Sequence, residues 1–271
     1  MKILIYCNRQ KDPQFLYASE LRRAFSERGV YSDIIEGDIQ PPQKDYSAIF
    51  VIGGDGTLLR RTELANTMRL PLIGINAGKL GFLTEFERSE LLDAVNLFLD
   101  GQLIEDKRST LIARFRDKDF YALNDITLQR IYMDSRGKTV SADVYIDGNK
   151  INTVRGDGVI VATPTGSTAY SLSAGGAILC PDINAFSVIP LSAHYFTLRQ
   201  VVFSAESECV LELSGGLTGG LLADGNLVAE IKQGESVKVF AAPEPTVFLR
   251  RKNFNFFQRL SHKFTDRAEG K

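Results

Sequence analysis

Short apolar runs alternate with amphipathic helical patterns through the first hundred residues, and this alternation restricts the possible folds more than any other feature of the chain. Apolar runs at 3–5, 48–52 and 70–75 predict buried strands. A helical pattern separates the first two runs, with Leu21 and Phe25 on one face. Strands that alternate with helices predict an open α/β sheet of parallel strands.

A further helical pattern follows the third apolar run. Ser89 is expected to cap this helix, and Gly101 is expected to end it. The spacing predicts that Leu92, Val95 and Leu99 form its buried face.

After about residue 105 the pattern changes to short alternating runs with turn signals, which is typical of a mostly β domain. One run ends at Asp147-Gly148, a pair that favours a two-residue hairpin turn. The tail returns to helical spacing, and its Phe257 and Phe264 should pack against the first domain or a partner subunit. We therefore predict an α/β domain at 1–103, a mostly β domain at 104–250 and a tail at 251–271.

Charge and cysteine content argue against several kinds of partner. The formal net charge of −1 provides no overall positive field for nucleic acid or an anionic membrane. Cys7, Cys180 and Cys209 show no metal-ligand spacing and fit a reduced compartment. No window approaches the ~18 apolar residues of a membrane span, and the run at 2–6 is too short for a signal peptide. We expect a soluble, cytoplasmic protein without a metal site of its own.

A glycine-rich turn, Gly53-Gly54-Asp55-Gly56-Thr57, follows the second predicted strand. Glycines let backbone N–H groups approach a phosphate closely, and a following helix would add its positive N-terminus. In such a turn Asp55 is expected to accept a proton from an attacking hydroxyl or to hold a divalent cation on the phosphates. The alternative is a plain helix cap, which would not require three glycines among four residues.

Two familiar nucleotide-binding motifs do not fit. The dinucleotide fingerprint G-x-G-x-x-G does not occur in the chain. Gly137-Lys138-Thr139 imitates the end of a P-loop, but Tyr132 stands where that motif requires its first glycine. We expect a solvated loop there.

The segment at 156–176 is the most informative part of the chain. A buried strand runs into a Pro-Gly turn, then a helix start rich in serine and threonine, then a double-glycine stop. Such a helix start presents hydroxyls and free backbone N–H groups to a polar ligand, and Tyr170 adds a stacking face. Ordinary capping is the alternative, although a turn rarely needs so long a run of small residues.

Together these segments closely resemble the NAD kinase family. The resemblance rests, in order, on residues 53–57, 74–83, 124–125 and 156–176. It implies an N-terminal α/β domain, a C-terminal β-sandwich and a tail that returns to the first domain. It also implies transfer of the γ-phosphoryl group of ATP, or of polyphosphate, to the adenosine 2′-hydroxyl of NAD, giving NADP. A divalent cation, Mg²⁺ or Mn²⁺, would arrive with the nucleotide, and the assembly would be a homo-oligomer, either a dimer or a tetramer.

The resemblance also assigns roles to individual residues. Asp55 matches the proton acceptor. The phosphate-facing and ATP-binding positions match Gly53, Gly54, Gly56, Thr57 and Arg60. The NAD-binding positions match Asp55, Gly56, Asn124, Asp125, Arg155, Asp157, Thr168, Ala169, Tyr170, Ser171, Leu172, Ser173 and Asn226. Within this set the resemblance implies that Asn124 and Asp125 hold a ribose, that Asp157 lies toward the nicotinamide and that Tyr170 lies beside the adenosine.

Several positions depart from the family pattern. Asp125 stands where many relatives have glutamate, which keeps the charge but shortens the reach by one methylene. His194 lacks the preceding proline of many relatives, so we expect a structural role for it. Asp224-Gly225-Asn226 replaces Asp-Gly-Gln and is either a hairpin turn or a contact to NAD.

Two other functions stay open from the sequence. A kinase for a lipid or a sugar would share the glycine-rich turn, although a lipid kinase should also expose an apolar or basic membrane-binding surface. A non-catalytic dinucleotide sensor would share the whole scaffold, and the intact Asp55 argues against it.

Overall fold

The computed structural model describes residues 1–37, 39–42, 45–78, 81–131, 139–194, 199–216 and 218–268. Contacts divide the chain into two compact units, one formed by Met1–Lys107 with Thr246–Lys271 and the other by Arg108–Pro245. Parts of the family motif at 74–83 and of the P-loop imitation lie outside the described residues, namely Lys79, Leu80, Tyr132, Gly137 and Lys138.

The secondary structure alternates as predicted in the first hundred residues and is mostly β afterwards. The strands are β1 (Lys2–Cys7), β2 (Tyr31–Glu36), β3 (Ala48–Gly53), β4 (Leu72–Asn76), β5 (Phe86–Glu87), β6 (Leu103–Arg108), β7 (Leu111–Phe115), β8 (Lys118–Ala122), β9 (Asp125–Arg130), β10 (Val140–Ile146), β11 (Asn149–Gly156), β12 (Gly158–Ala162), β13 (Ala185–Leu191), β14 (Val201–Ser204), β15 (Cys209–Gly215), β16 (Thr218–Ala223), β17 (Asn226–Lys232), β18 (Ser236–Ala241) and β19 (Thr246–Arg251). The helices are α1 (Leu16–Ser26), α2 (Asp55–Leu59), α3 (Thr62–Met68), α4 (Leu91–Leu99), α5 (Tyr170–Ser173) and α6 (Phe256–Ala268), with 3₁₀ turns at Arg88–Glu90 and Gly166–Thr168.

The first unit is built on one sheet in the strand order β2-β1-β3-β4-β19-β6, with β5 beside β4. Strands β1 to β5 and β19 pair in parallel. All six residues of β3 are buried, as expected for a parallel strand covered on both faces. This arrangement confirms the predicted open α/β sheet and brings the carboxyl ends of β1, β3, β4 and β19 to one edge.

The buried face of α4 differs from the prediction. Ser89 is not its cap, because Glu87 and Glu90 form a reciprocal capping box around the preceding 3₁₀ turn. Leu91 is buried, whereas Leu92 is 49% exposed. The predicted buried face was therefore wrong for Leu92 alone, because Val95 is buried and Leu99 is half-buried against the same core cluster, as predicted.

The second unit contains two sheets in the orders β11-β10-β15-β18-β7-β8 and β14-β13-β12-β9-β16-β17. Their described ladders are antiparallel. Side chains of both sheets, such as Leu213 of β15 and Leu128 of β9, belong to one buried cluster. Two sheets that share a core form a sandwich, so the predicted fold class is confirmed.

Two hairpins of this sandwich turn at Asp-Gly pairs. Asp147 and Gly148 have φ of 49° and 77°, and Asp224 and Gly225 have φ of 47° and 78°. Positive φ at both central residues is the geometry of a type I′ turn. The first turn was predicted, and the second shows that Asp224-Gly225 forms a hairpin turn, while a contact from Asn226 to NAD stays a prediction.

The tail helix α6 belongs to the first unit, but it packs with a different face from the predicted one. Phe257 and Phe264 are 63% and 43% exposed. Instead the Phe256 ring lies 6.3 Å from the Phe82 ring, and Arg259 is largely buried. Within the described residues, no helix combines the length and apolar character needed to cross a membrane.

Candidate active site

Asp55 lies where β3 ends and α2 begins, at the carboxyl edge of the parallel sheet. Gly54 before it is extended, with φ −105° and ψ −174°, so the chain turns abruptly into the helix. Because α2 has only five residues, the helix dipole expected from the sequence is small. The capacity of this turn to bind an anion therefore depends on its backbone N–H groups and its open space.

The carboxylate of Asp55 is held by three consecutive backbone N–H groups. Phe82 donates to Oδ2 at 2.7 Å, and Leu83 and Thr84 donate to Oδ1 at 3.0 and 3.2 Å. A Cβ at Gly81 would lie 1.9 Å from Oδ1, so the carboxylate packs directly on a glycine backbone. These contacts fix the orientation of Asp55 and leave Oδ2 with room to accept another hydrogen bond.

The three glycines around Asp55 have different reasons to be glycine. A Cβ at Gly53 would lie 2.4 Å from Oγ1 of Thr57, so packing alone excludes a side chain there. A Cβ at Gly54 or Gly56 would meet nothing within 4 Å, and neither residue has positive φ. The fold does not require these two glycines. Their missing side chains leave open space beside Asp55, as a turn that admits phosphate requires.

Thr57 and Arg60, the two predicted phosphate-binding residues with side chains, differ in exposure. Thr57 is 3% exposed, and its Oγ1 accepts a hydrogen bond from Nδ2 of Asn8 at 3.0 Å. Asn8 directly follows β1, so this contact ties together the ends of two neighbouring strands. Arg60 is exposed at the end of α2. The side chain of Thr57 is therefore buried and hydrogen-bonded to Asn8, whereas that of Arg60 faces solvent.

In the second unit, Asn124 and Asp125 lead into β9, and a neighbouring hairpin holds their backbone. The carboxylate of Asp224 accepts N–H groups from Leu123, Asn124 and Asp125 at 2.9, 2.7 and 3.2 Å. The N–H of Asp224 donates in return to the carbonyl of Asp125 at 2.9 Å. Asp224 was not among the predicted site residues, and its Asp-Gly turn was the signal in the sequence.

The turn after β12 packs against the same backbone. A Cβ at Gly166 would lie 2.0 Å from the carbonyl oxygen of Asn124, so only glycine fits. Thr163 donates its N–H to that oxygen at 2.9 Å and its hydroxyl to the carbonyl of Leu123 at 2.6 Å. The structure thus brings the predicted ribose-binding pair next to the start of the segment at 166–173.

Asp125, which is buried, and Asp224, which is partly buried, place two carboxyl groups near each other. Burial, together with the negative charge of Asp224, raises the pKa of Asp125 to about 7, against the opposite effect of a hydrogen bond from Thr127. Burial also raises the pKa of Asp224, although its three backbone N–H partners act to lower it. Ionisation of both carboxyl groups at the same time is therefore unfavourable at neutral pH.

Arg155 and Asp157 lie on either side of Gly156, where β11 ends and the chain continues into β12. Cβ atoms at Gly156 and Gly158 would lie 2.6 and 2.3 Å from backbone oxygens of neighbouring strands, so close packing requires both glycines. Asp157 pairs with Arg130, with 2.9 Å between Oδ1 and Nε. Arg155 is exposed. The glycines here serve the fold, and the two charged side chains remain the candidates for ligand contact.

The predicted NAD-binding residues at 168–173 divide into exposed and buried positions. Tyr170 is 44% exposed at the start of α5, and Ser173 is also exposed. Ser171 is fully buried, and a Cβ at Gly176 would lie 2.5 Å from its Oγ. The half-buried positions are Thr168, Ala169 and Leu172. Tyr170 and Ser173 therefore face solvent, whereas Ser171 faces the protein.

Asn226 and His194 are both exposed. Asn226 follows the Asp224 turn, and its Nδ2 lies 3.5 Å from the carbonyl oxygens of Ala223 and Asp224. The backbone N–H of His194 donates to the carbonyl of Arg155 at 2.9 Å. His194 is thus tied to the predicted site by its backbone, and its imidazole is not part of the core.

Comparison with known proteins identifies the family. The model of the ATP-NAD kinase N-terminal domain matches residues 5–103, and that of the ATP-NAD kinase C-terminal domain matches residues 123–251. An NAD kinase of Gemmatimonas aurantiaca is 35% identical over 235 residues, covering 84% of this chain and 80% of the relative. This chain belongs to the NAD kinase family.

Solved structures of NAD and NADH kinases share its fold. An NAD kinase from Archaeoglobus fulgidus in complex with ATP aligns with a TM-score of 0.80 and 23% identity, covering 97% of this chain and 98% of that one. A yeast NADH kinase complexed with NADH aligns with a TM-score of 0.83 and 19% identity, covering 98% and 88%. The family resemblance inferred from the motifs is confirmed.

The groups that hold Asp55 and the Asn124–Asp125 turn of this NAD kinase family member were not predicted from its sequence. The donors to Asp55 are backbone N–H groups of 82–84, and such donors have no side-chain signature. Asn8 was detectable only by its position after a buried strand, at the same sheet edge as Gly53. The arrangement as a whole provides an oriented carboxylate beside open backbone in one unit and a rigid polar turn in the other.

Proposed function

We propose that this chain transfers the γ-phosphoryl group of ATP, or of polyphosphate, to the adenosine 2′-hydroxyl of NAD and so produces NADP. Its membership of the NAD kinase family supports this activity. The observation that carries the proposal is the turn around Asp55. Gly54 and Gly56 leave space beside an oriented carboxylate, and nothing in the fold requires that space. A phosphate chain fits such a turn because it can lie against backbone N–H groups.

In the proposed reaction, Asp55 acts as the proton acceptor. The 2′-oxygen of NAD attacks the γ-phosphorus, its proton passes to Oδ2 of Asp55, and the bond to the bridging oxygen breaks, so that ADP leaves with that electron pair. Oδ2 is the proposed acceptor because it receives one backbone N–H, whereas Oδ1 receives two. Positioning and charge neutralisation provide most of the catalysis in phosphoryl transfer.

We propose that Mg²⁺ or Mn²⁺ arrives with the nucleotide. Across the described residues no group of three or more His, Cys, Asp or Glu side chains is arranged to hold a metal ion, so phosphate oxygens would be its main ligands. The cation would neutralise phosphate charge. Arg60, exposed at the end of α2, would add positive charge beside the same turn.

Residues of the second unit are proposed to bind NAD. Asn124 and Asp125 would hold a ribose, and Asp125 would do so through a small exposed edge, since it is only 5% exposed. Asp157 would lie toward the nicotinamide, with Arg130 balancing its charge. Tyr170 would contact the adenosine, which its 44% exposure permits.

We further propose a cytoplasmic homo-oligomer, either a dimer or a tetramer. The sandwich ends in edge strands β8, β11, β14 and β17, and pairing with another copy is one way to protect such edges. Cys7, Cys180 and Cys209 are free thiols, which fits a reducing compartment. Sedimentation at micromolar concentration should show dimers or larger species, and a fully active monomer would contradict this part of the proposal.

One assay tests the proposed activity. Pure protein is incubated with NAD, ATP and Mg²⁺, and NADP is measured with an NADP-specific dehydrogenase. NADP should form only when both the nucleotide and the divalent cation are present. Parallel incubations with a diacylglycerol and with a sugar test the rival kinases. Background NADP together with phosphorylation of either alternative would refute the proposal, and NAD binding without turnover would identify a sensor.

A further inference from the structure

The backbone that holds Asp55 consists of three consecutive peptide groups, which we call the Asp55 clamp. Their N–H groups belong to Phe82, Leu83 and Thr84 and donate to the carboxylate. Their carbonyl groups belong to the preceding residues, 81 to 83. Each peptide group is planar and conjugated, so its carbonyl oxygen and its N–H point in opposite directions. Whatever binds the carbonyls therefore lies on the far side of the clamp from Asp55.

Two arginines of the C-terminal segment bind those carbonyls. Arg259 of α6 donates to the carbonyl of the first peptide group at 3.0 Å. Arg250 of β19 donates to the carbonyls of the second and third at 3.1 and 3.4 Å. Arg259 also donates to the carbonyl of Thr84, at 3.0 Å. Every peptide group of the clamp thus lies between a guanidinium and the carboxylate of Asp55.

This arrangement aligns the peptide dipoles with the charges at both ends. The negative carbonyl end of each group faces a cation, and the positive N–H end faces an anion, so each contact polarises and strengthens the other. The Arg250 and Arg259 side chains are 1% and 13% exposed, where solvent screens little. Burial lowers the pKa of Arg259, while the charges of Glu85 and Asp55 act to raise it.

The guanidinium groups are themselves fixed by acidic and aromatic neighbours. Glu85 accepts a hydrogen bond from each arginine at 3.3 Å, and Asp106 pairs with Arg250. The Phe254 ring lies 4.2 Å from the guanidinium carbon of Arg250 and 5.5 Å from that of Arg259. With two cations and two anions in the cluster, the arginines cannot move without breaking several contacts.

We propose that Arg250 and Arg259 are positioning residues for phosphoryl transfer, holding Asp55 in its reactive orientation through the clamp. The C-terminal segment then completes the catalytic centre, although it contains none of the predicted site residues. This inference rests on the proposed function, because it requires that Asp55 act in the reaction.

The first test replaces Arg259, because Arg250 is more deeply buried. Arg259→Met removes the charge and the donors with little change in length. We expect kcat to fall roughly 10- to 100-fold, because a small displacement of a reacting group has effects of that size. KM for NAD should stay within about threefold, since the lost interaction belongs to the transition state. Arg259→Lys keeps a positive charge and should recover part of kcat.

Arg251→Met is the matched control. Arg251 belongs to the same segment, pairs with Glu90 at 2.9 Å and stacks on Phe86 at 4.5 Å, yet its side chain does not contact the clamp carbonyls. It should therefore lower the melting temperature less than Arg259→Met, because it loses one side-chain hydrogen bond rather than three, and leave kcat near the wild-type value. An equal loss of kcat in both variants would mean a general packing role and would overturn the inference.

A double-mutant cycle separates action through Asp55 from any other role. If Arg259 acts through Asp55, adding Arg259→Met to Asp55→Asn should lower kcat by less than about threefold. The same loss in both backgrounds would overturn the inference. If Arg259→Met does not fold, the cycle is run with Arg259→Lys. A wild-type protein that makes no NADP would instead refute the proposed function, whereas active wild type with unaffected Arg259 variants would refute only this inference.

Discussion

Asp55 in the first unit and Asp224 in the second each accept three consecutive backbone N–H groups. Asp55 receives them from 82–84, and Asp224 receives them from 123–125. The surroundings differ. Two arginines lie behind the peptide groups that hold Asp55. Asp55 is the first residue of α2 and lies beside open space. Asp224 lies in a left-handed turn, and its carboxyl group shares its surroundings with that of Asp125.

The comparison shows that hydrogen-bond number alone does not separate a reacting group from a structural one. Two guanidinium groups bind the far side of the peptide groups that hold Asp55, so its carboxylate keeps one orientation beside open space. Asp224 instead lies beside a second carboxyl group, that of Asp125, and two nearby negative charges repel. This difference favours the proposal that Asp55 acts in the chemistry and that Asp224 shapes the proposed NAD-binding turn.

The largest expected effect comes from Asp55→Asn, which keeps size and shape and removes the charge. If Asp55 is the general base, kcat should fall roughly 10²- to 10⁴-fold, or about 3 to 5 kcal/mol of barrier. NAD affinity should change far less, because the lost interaction belongs mainly to the transition state. Steady-state kinetics with NAD, ATP and Mg²⁺ provide the measurement.

The same variant also distinguishes two other roles of Asp55. If it holds the cation, raising Mg²⁺ should recover much of the rate. If it only caps α2, asparagine should replace it almost silently, because asparagine caps nearly as well. A kcat near the wild-type value at ordinary Mg²⁺ would remove Asp55 from the mechanism. Asp55 and Asp224 would then both be structural residues.

Asp224→Ala should mainly reduce stability. It removes three hydrogen bonds to partly buried N–H groups and places alanine at positive φ, for a loss of about 2–4 kcal/mol in unfolding free energy. KM for NAD should rise as the Asn124–Asp125 turn loosens, while kcat changes little. Urea unfolding and NAD titrations provide the measurements.

Asp147→Ala is the matched control, because Asp147 occupies the same kind of turn, with φ of 49°, before a glycine. It accepts one N–H, from Glu208 at 3.0 Å, and does not hold the predicted NAD turn. The backbone strain should be equal in the two variants. An equal rise in KM would show that Asp224 does not position the NAD turn.

Features that depend on side-chain pattern were predictable from the sequence, whereas features made by backbone contacts were not. Buried apolar runs placed β3 and the glycine turn correctly, and Asp147-Gly148 predicted its hairpin. The donors to Asp55 and Asp224 are backbone groups brought together by folding, so no residue type marks them. Leu92 in α4 and Phe257 and Phe264 in α6 were wrongly predicted to be buried, because local patterns do not show which face a neighbour covers.

A pH series tests the ionisation of Asp125 in the second unit. Burial and the charge of Asp224 raise the pKa of Asp125 from its ordinary value of 3.8 to about 7, with Thr127 opposing. Between these values the folded protein holds a proton that the unfolded chain has lost, so stability should fall as pH rises from about 4 to about 7. Over the upper part of this window NAD affinity should rise, because the carboxylate gains acceptor capacity for ribose hydroxyls.

Asp125→Asn should flatten both trends, since it cannot titrate. The expected fall in melting temperature for the wild type is roughly 5 °C across the window, measured by thermal unfolding in buffers of matched ionic strength. A wild-type KM for NAD that is constant between about pH 6 and 8 would exclude Asp125 as an ionising NAD contact near its assigned pKa.

The smallest expected effect concerns Tyr170, and it sharpens the distinction between binding and structure within the second unit. Tyr170 is 44% exposed at the start of α5, so its ring contributes little to the core. Tyr170→Ala should raise KM for NAD roughly 3- to 10-fold, because stacking and contact area are worth about 0.5–1.5 kcal/mol. The melting temperature should change little, unlike that of Asp224→Ala. Tyr170→Phe should keep KM near the wild-type value, since it retains the ring. A large fall in melting temperature with unchanged KM would make Tyr170 a structural residue and leave the adenosine without a stacking partner at this position.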